Sequence, residues 1–255
     1  MSNPSQILVQ ERRDRLHECM AEADIDLLAI AGDAWRCDYL RYATGVAVLE
    51  GNAVAFVERD GGVHLIVESP NEAERFSHEQ PEIRISCVSS AAAEAERIIA
   101  ESRNRKVALG PRPGLPYRLA RGEAGGSVAA TTAMLDKLML VKTPAELSAY
   151  RRASHLADEG YKVFLEGIRI GKPEYQLVAG VEAFYRANGC AENFQILGSG
   201  GVDMRGMHPP GDNRVKAGDL VTTELTPCVE GYYARSEEHT SELQSHHDLV
   251  CRLLL

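Results

Sequence analysis

The chain lacks several features, and each gap removes a class of protein. No apolar run approaches the roughly 20 residues a membrane-spanning helix needs, so no membrane segment is expected. The stretch from Met1 to Arg15 lacks the basic-then-apolar layout of a signal peptide. There is no basic block: Lys and Arg number 28 against 37 Asp and Glu, for a formal net charge of -9. An acidic chain grips phosphate backbones poorly, which argues against a nucleic-acid partner. Cysteine is scattered, as Cys19, Cys37, Cys87, Cys190, Cys228 and Cys251, with no C-x-x-C pair. That pattern suits a reducing cytoplasm better than a disulfide framework or a zinc knuckle. Ser199 has no G-x-S-x-G elbow around it, and Cys190 and Cys228 have no base nearby in sequence, so neither a serine nor a cysteine nucleophile is expected. The glycines from Gly122 to Gly126 lack the flanking strand, helix and Lys of a phosphate loop and read as a plain loop.

What remains is globular: 255 residues, 44% hydrophobic and 25% charged, enough for one large domain or two ordinary ones. The composition changes abruptly after Ala234. The stretch RSEEHTSELQSHHDLVCRLLL, residues 235–255, has no Gly or Pro and holds three of the eight histidines. Arg235 to Ser245 resembles a direct translation of a common sequencing adapter, and Leu249 to Leu255 resembles the downstream end of the same adapter in the same frame. We therefore expect residues 235–255 to be an artefactual tail, the natural polypeptide to be cut after Ala234, and His239, His246 and His247 to have no function. The tail carries two Arg and four acidic residues, so the chain stays acidic without it.

The first half reads as α/β. Leu16, Met20 and Ala23 recur at helical spacing. Leu27–Ala31 is a short buried strand, and Val54–Val57 and Val63–Val67 are strands joined across Asp60-Gly61-Gly62, a hairpin signal. Ile83–Val88 and Lys106–Leu109 read as strands and Ala91–Ser102 as a helix, whereas 110–116 reads as a loop. Interleaved helices and strands predict layered α/β packing. The second half opens with Thr143-Pro144-Ala145-Glu146, a capping box with Pro at the first helical position. That helix runs to about Gly167. A second opens at Pro173-Glu174, puts Leu177, Val181 and Phe184 on one face, and stops at Gly189. Gln195–Leu197 reads as short and extended, Gly198–Gly201 as a loop, and Leu220–Leu225 as a strand after the turn Ala217-Gly218-Asp219.

Three runs then carry a family resemblance: KTPAELSAYRRASHLADEGY, IRIGKPEYQLVAGVEAFYRANG, and LGSGGVDMRGMHPPGDNRVKAGDLVTTELTPCVEGYYA. They resemble the catalytic domain of the pita-bread hydrolases, which include Xaa-Pro aminopeptidases, Xaa-Pro dipeptidases, methionine aminopeptidases and creatinase. The residues before them resemble the N-terminal domain of the creatinase and Xaa-Pro peptidase branch. The resemblance implies an α/β (α+β) fold. A creatinase-like N-terminal α/β domain (residues 1–140) would precede an incomplete pita-bread domain (141–234). It implies hydrolysis of a C–N bond in a short Xaa-Pro peptide or a small amidino or cyclic-amide compound. It also implies a cytoplasmic location and a homodimeric full-length parent. The fragment itself is expected to be inactive.

Family peptidases hold two divalent ions, such as manganese, with two Asp, one His and two Glu, a donor set of hard oxygens and one imidazole. Glu224 stands where the resemblance implies the first Asp, and Arg235 where it implies the second. Glu224 is therefore either a metal ligand one methylene too long or a charged strand residue, and the cofactor is either two divalent ions or none. His208, in Met207-His208-Pro209-Pro210, stands where the family has a substrate-facing His, which in creatinase is the main acid/base without a metal. Imidazole suits that work because it titrates near neutral pH. Gly198, Ser199, Gly200 and Gly201 would let backbone approach a substrate. Arg205 could fork onto a substrate carboxylate. Trp35 and Arg36 lie on an N-domain loop of a kind that reaches the partner's site in related dimers. His17, His64 and His155 read as solvated or packed. Three functions stay open: a metal-free hydrolase of the creatinase sort, an ordinary dinuclear-metal Xaa-Pro peptidase, and a non-catalytic binding scaffold.

Overall fold

The structure is a computed structural model and describes residues 4–120, 128–201, 204–235 and, for the backbone alone, 251–254. The expected loop Gly122–Gly126 and the histidines His239, His246 and His247 lie outside the described residues. The chain divides into two compact units, Met1–Ala145 and Glu146–Leu255. Among the described residues no helix is long and apolar enough to cross a membrane.

The first unit is built on a mixed sheet of five strands: β1 (Leu27–Asp33), β2 (Asn52–Glu58), β3 (Val63–Val67), β4 (Arg84–Cys87) and β5 (Val107–Gly110), in the order β4-β3-β2-β1-β5. β2 runs antiparallel to β1 and β3, while β4 and β5 run parallel to their neighbours. Successive side chains on a strand face opposite ways. Here the two sets feed two different cores. Leu28, Ile30, Ala55, Val57 and Leu65 pack with residues of α1 (Pro4–Glu22), α2 (Asp38–Thr44), α3 (Pro70–Glu79) and, further along the chain, Val128–Leu140. Leu27, Ala29, Ala31, Val54, Phe56 and Ile66 pack with Ala91 and Ala95 of α4 (Ala91–Glu101) and with Leu119 of the short α5 (Tyr117–Ala120). Both faces of the sheet are therefore covered, which is why β1 reads as an unbroken apolar run and not as an alternating one. Full burial of each such Leu or Ile contributes about 1.5–3 kcal/mol.

The expected hairpin joins β2 and β3: Gly61 takes φ +102°, and the amide of Gly62 donates to Asp60 Oδ1 at 3.2 Å. Four helices have no counterpart in the sequence reading: α2, the short α5 and two longer ones. α3 is capped by Ser69, whose Oγ accepts from the Glu72 amide. The other, α6 (Val128–Leu140), buries Thr131, Leu135 and Leu138. A single 3₁₀ turn, Arg112–Gly114, interrupts the expected loop after β5.

The second unit is led by α7 (Pro144–Gly167) and α8 (Glu174–Ala187), followed by β6 (Glu192–Gly200), β7 (Leu220–Val229) and the two-residue β8 (Tyr232–Tyr233). Its core gathers Phe164, Leu177, Val181, Tyr185, Leu197, Val221 and Leu225. On α8 the buried row is Leu177, Val181 and Tyr185, four residues apart, while Phe184 is only partly buried. Tyr185, not Phe184, takes the deep position because it continues the i, i+4 row. Glu146 of the capping box is buried, and its Oε1 accepts from the Tyr232 hydroxyl.

β6 is nine residues long and pairs with β7 from Glu192↔Cys228 through Gly200↔Leu220. The expected loop Gly198–Gly201 is therefore mostly strand: Gly198, Ser199 and Gly200 all sit in the ladder. Nine rungs to β7 outweigh the weak strand preference of glycine. A fourth strand, β9 (Cys251–Leu254), pairs antiparallel with β7 from Leu220 to Thr223.

Candidate functional site

His208 sits at the margin of the β6–β7 sheet. Its amide donates to the Leu197 carbonyl at 3.1 Å and its carbonyl accepts from the Leu197 amide at 3.0 Å, an antiparallel bridge on β6. The close approach depends on Gly198, where a methyl group would lie 2.4 Å from the Gly206 carbonyl oxygen. The imidazole itself is 56% exposed, open to an incoming molecule. Its Nδ1 lies 2.9 Å from the Pro209 carbonyl oxygen and 3.8 Å from Glu174 Oε2.

Glu174 is the residue that sequence reading passed over as a helix opener. It is fully buried. Its Oε1 accepts from the Ser199 amide at 3.1 Å, the Ser199 hydroxyl at 2.6 Å and Asn213 Nδ2 at 3.4 Å, and its Oε2 accepts from the Gly211 amide at 3.1 Å. Asn213 Nδ2 also donates to the Ser199 carbonyl at 2.9 Å. Two backbone bonds complete the junction, from the Glu174 amide to the Asn213 carbonyl and from the Tyr175 amide to the Gly211 carbonyl. Burial works to raise the carboxyl's pKa, but the bonds from Ser199, Gly211 and Asn213, with His208 nearby, outweigh it and hold the group below the ordinary carboxylate range. No local pattern signals this burial. A Glu in the first turn of a helix ordinarily faces water and complements the helix dipole.

Glu224 lies on β7 opposite Ile196, one residue beyond the Thr223↔Leu197 pair and hence on the other face of the sheet from Leu197. Its carboxylate pairs with the guanidinium of Arg235 and also accepts from the Thr226 hydroxyl at 3.3 Å. Among the described residues no hydrogen bond or ion pair joins Glu224 to His208. Gly200 ends β6, and Arg205 is exposed. In the first unit Trp35 is 93% exposed, on the turn after β1. Arg36 donates to the Pro113 carbonyl at 2.7 Å, and its backbone amide bonds Asp33 Oδ1 at 2.9 Å. Cys190 and Cys228 are buried together, with Cys190 Sγ 3.1 Å from the Cys228 amide. Their environment is that of packed, inert thiols.

The donor set needed for a pair of divalent ions is not assembled here. Among the described residues no three of His, Cys, Asp and Glu gather closely enough to hold a metal. The one carboxylate at an expected ligand position, Glu224, is engaged by a cation. These residues do not fit a dinuclear centre.

Comparison with known proteins is consistent with this architecture. Residues 148–238, which span α7 to β8 and therefore both His208 and Glu224, match the model of metallopeptidase family M24. No curated protein matches the chain in sequence. Among solved structures, the chain is similar to an X-Pro aminopeptidase from Thermotoga maritima MSB8, at TM-score 0.71 and 18% identity over 88% of this chain and 63% of that one. It is also similar to a Xaa-Pro dipeptidase from Bacillus anthracis, at 0.65 and 21% over 89% and 63%. A prolidase from Pyrococcus furiosus matches at 0.62 and 22% over 87% and 68%. The chain thus has a mixed α/β fold shared with these peptidases, its residues 148–238 match the M24 model, and it spans about 63% of the length of the first two.

Proposed function

We propose that this chain is part of a hydrolase of the Xaa-Pro peptidase and creatinase kind, which cleaves a C–N bond in a short peptide or a small amidino or cyclic-amide substrate, with His208 as the acid/base. The observation that supports this most directly is the placement of His208. Its backbone is bridged to β6, its imidazole is exposed, and a buried carboxylate lies 3.8 Å from Nδ1, all inside the stretch that matches the M24 family. In this reading His208 accepts a proton from water as the water oxygen attacks the carbon, then delivers that proton to the departing nitrogen. The C–N bond breaks, leaving an acid or urea and an amine. Gly200 and Arg205 border the substrate, and a homodimer brings the exposed Trp35 and Arg36 toward the partner's site.

The M24 match also favours a second reading, an ordinary metallopeptidase with Glu224 among its ligands. The ion pair to Arg235 weighs against it in this chain. The source reading frame continued past Ala234 separates the two. The longer product should hydrolyse Xaa-Pro dipeptides, creatine-like compounds or cyclic amides, and His208→Ala should lower kcat/KM by about 10²–10⁴. Two equivalents of manganese or zinc per subunit would select the metallopeptidase. Absence of turnover on all three substrate classes would sink both readings and leave a binding scaffold. The 255-residue chain is expected to show no turnover.

A further inference from the structure

We propose that Glu174 is a positioning residue for His208. It straps the turn that follows His208 to β6, and so holds the imidazole in the tautomer that carries its proton on Nδ1 and turns the Nε2 lone pair outward. This rests on the reading of His208 as the acid/base.

Burying a carboxylate costs several kcal/mol unless donors surround it. Every group bonded to Glu174 is a donor: the Ser199 amide and hydroxyl, the Asn213 amide group and the Gly211 amide. An ionised carboxylate accepts on both oxygens, whereas the amide of a Gln would turn an NH₂ group toward one of these donors. The pocket is therefore built for an anion. Its bonds also join two separate pieces of chain. Ser199 belongs to β6, and Gly211 and Asn213 follow His208 in sequence. Between His208 and Gly211 lies Pro209, whose carbonyl is 2.9 Å from Nδ1. A carbonyl can only accept, so Nδ1 must donate. The second acceptor near the ring, Glu174 Oε2, is on the same Nδ1 side at 3.8 Å. Among the described residues nothing bonds Nε2. Free histidine in water favours the opposite tautomer, with the proton on Nε2, so the strap inverts the intrinsic preference. The atom left to exchange protons with substrate is Nε2, the arrangement in which a carboxylate or carbonyl behind an imidazole sets its working nitrogen.

The test is ¹⁵N NMR of the 255-residue chain with the imidazole neutral, the His208 signals being assigned by their loss in His208→Ala. The expected spectrum shows Nδ1–H as the major tautomer; a majority of Nε2–H overturns the proposal. In Glu174→Gln the ratio of Nδ1–H to Nε2–H should fall several-fold while the backbone amide signals of α7 and β7 stay in place. Should that variant fail to fold, Ser199→Ala and Asn213→Ala each remove one strap, and each should lower the ratio less but in the same direction. A ratio unchanged in every folded variant overturns the proposal as well. The tautomer is read without turnover, so a failure here leaves the hydrolase reading standing, and a failure of turnover in the longer chain leaves the tautomer result standing.

Discussion

The carboxylate of Glu224 closes on the guanidinium of Arg235, and the pair ties the middle of β7 to the residues just after β8. A guanidinium never gives up its charge in a protein, and it forks well onto a carboxylate. A hard divalent ion would have to displace it and would find one carboxylate where it needs several oxygen donors. Equilibrium dialysis of this chain against manganese at micromolar concentration is therefore expected to show no stoichiometric binding. One tightly held ion per chain, lost on Glu224→Gln, would show that the ion pair opens to admit metal.

Tyr185 packs against Gly160 of α7 and leaves no room for a side chain there. A methyl group on Gly160 would lie 2.2 Å from the Tyr185 hydroxyl and 2.4 Å from its ring. Gly160→Ala should destabilise this unit by about 1–3 kcal/mol, the usual cost of overpacking. The same hydroxyl is buried with no hydrogen-bond partner among the described residues, and burial pushes the phenol's pKa upward. Tyr185→Phe removes that unpaired group and should raise stability by about 1 kcal/mol. Urea midpoints at constant m-value read both effects. A loss of stability in Tyr185→Phe would mean that the hydroxyl has a partner after all.

His64 of the first unit and Glu174 of the second should cost stability in different acid windows. Burial, then Arg84, holds His64 below the ordinary imidazole value of 6.5 against the pull of Glu94 and Glu58. The unfolded chain therefore takes up that proton first, and the first unit weakens as pH falls below about 6.5, until the folded value is reached. Glu174 is a depressed carboxyl. Its contribution is complete above the unfolded value, about 4.3, and is lost only as pH falls from there toward the lower folded value. Unfolding measured between pH 8 and 3 should show His64→Gln reducing the first loss and Glu174→Gln reducing the second. Equal slopes in wild type and both variants would contradict this.

Local chemistry made much of the fold legible. β1, the Asp60-Gly61-Gly62 hairpin and the start of α7 at Thr143-Pro144 each announce themselves within a few residues, because turn and cap preferences are local. α3 opens with Ser69-Pro70-Asn71-Glu72, chemistry equivalent to that of Thr143-Pro144-Ala145-Glu146, so its signal was present although the segment was not read as a helix. Gly198-Ser199-Gly200 misled because glycine weakens a strand in isolation, whereas here the ladder to β7, some twenty residues away, decides. At the candidate site His208 stands out only through the family resemblance of Met207-His208-Pro209-Pro210, and Glu174 does not stand out at all. Its burial depends on Ser199, Gly211 and Asn213, which lie 25 to 39 residues further along the chain and converge only in the folded unit.

Trp35 is the chain's single tryptophan, and it stands almost wholly in water on the turn after β1. Its fluorescence is therefore already solvent-like in the native protein and nearly blind to denaturation. The same property makes it a built-in optical probe: any molecule that settles over that turn would shift the emission to the blue, with no label attached.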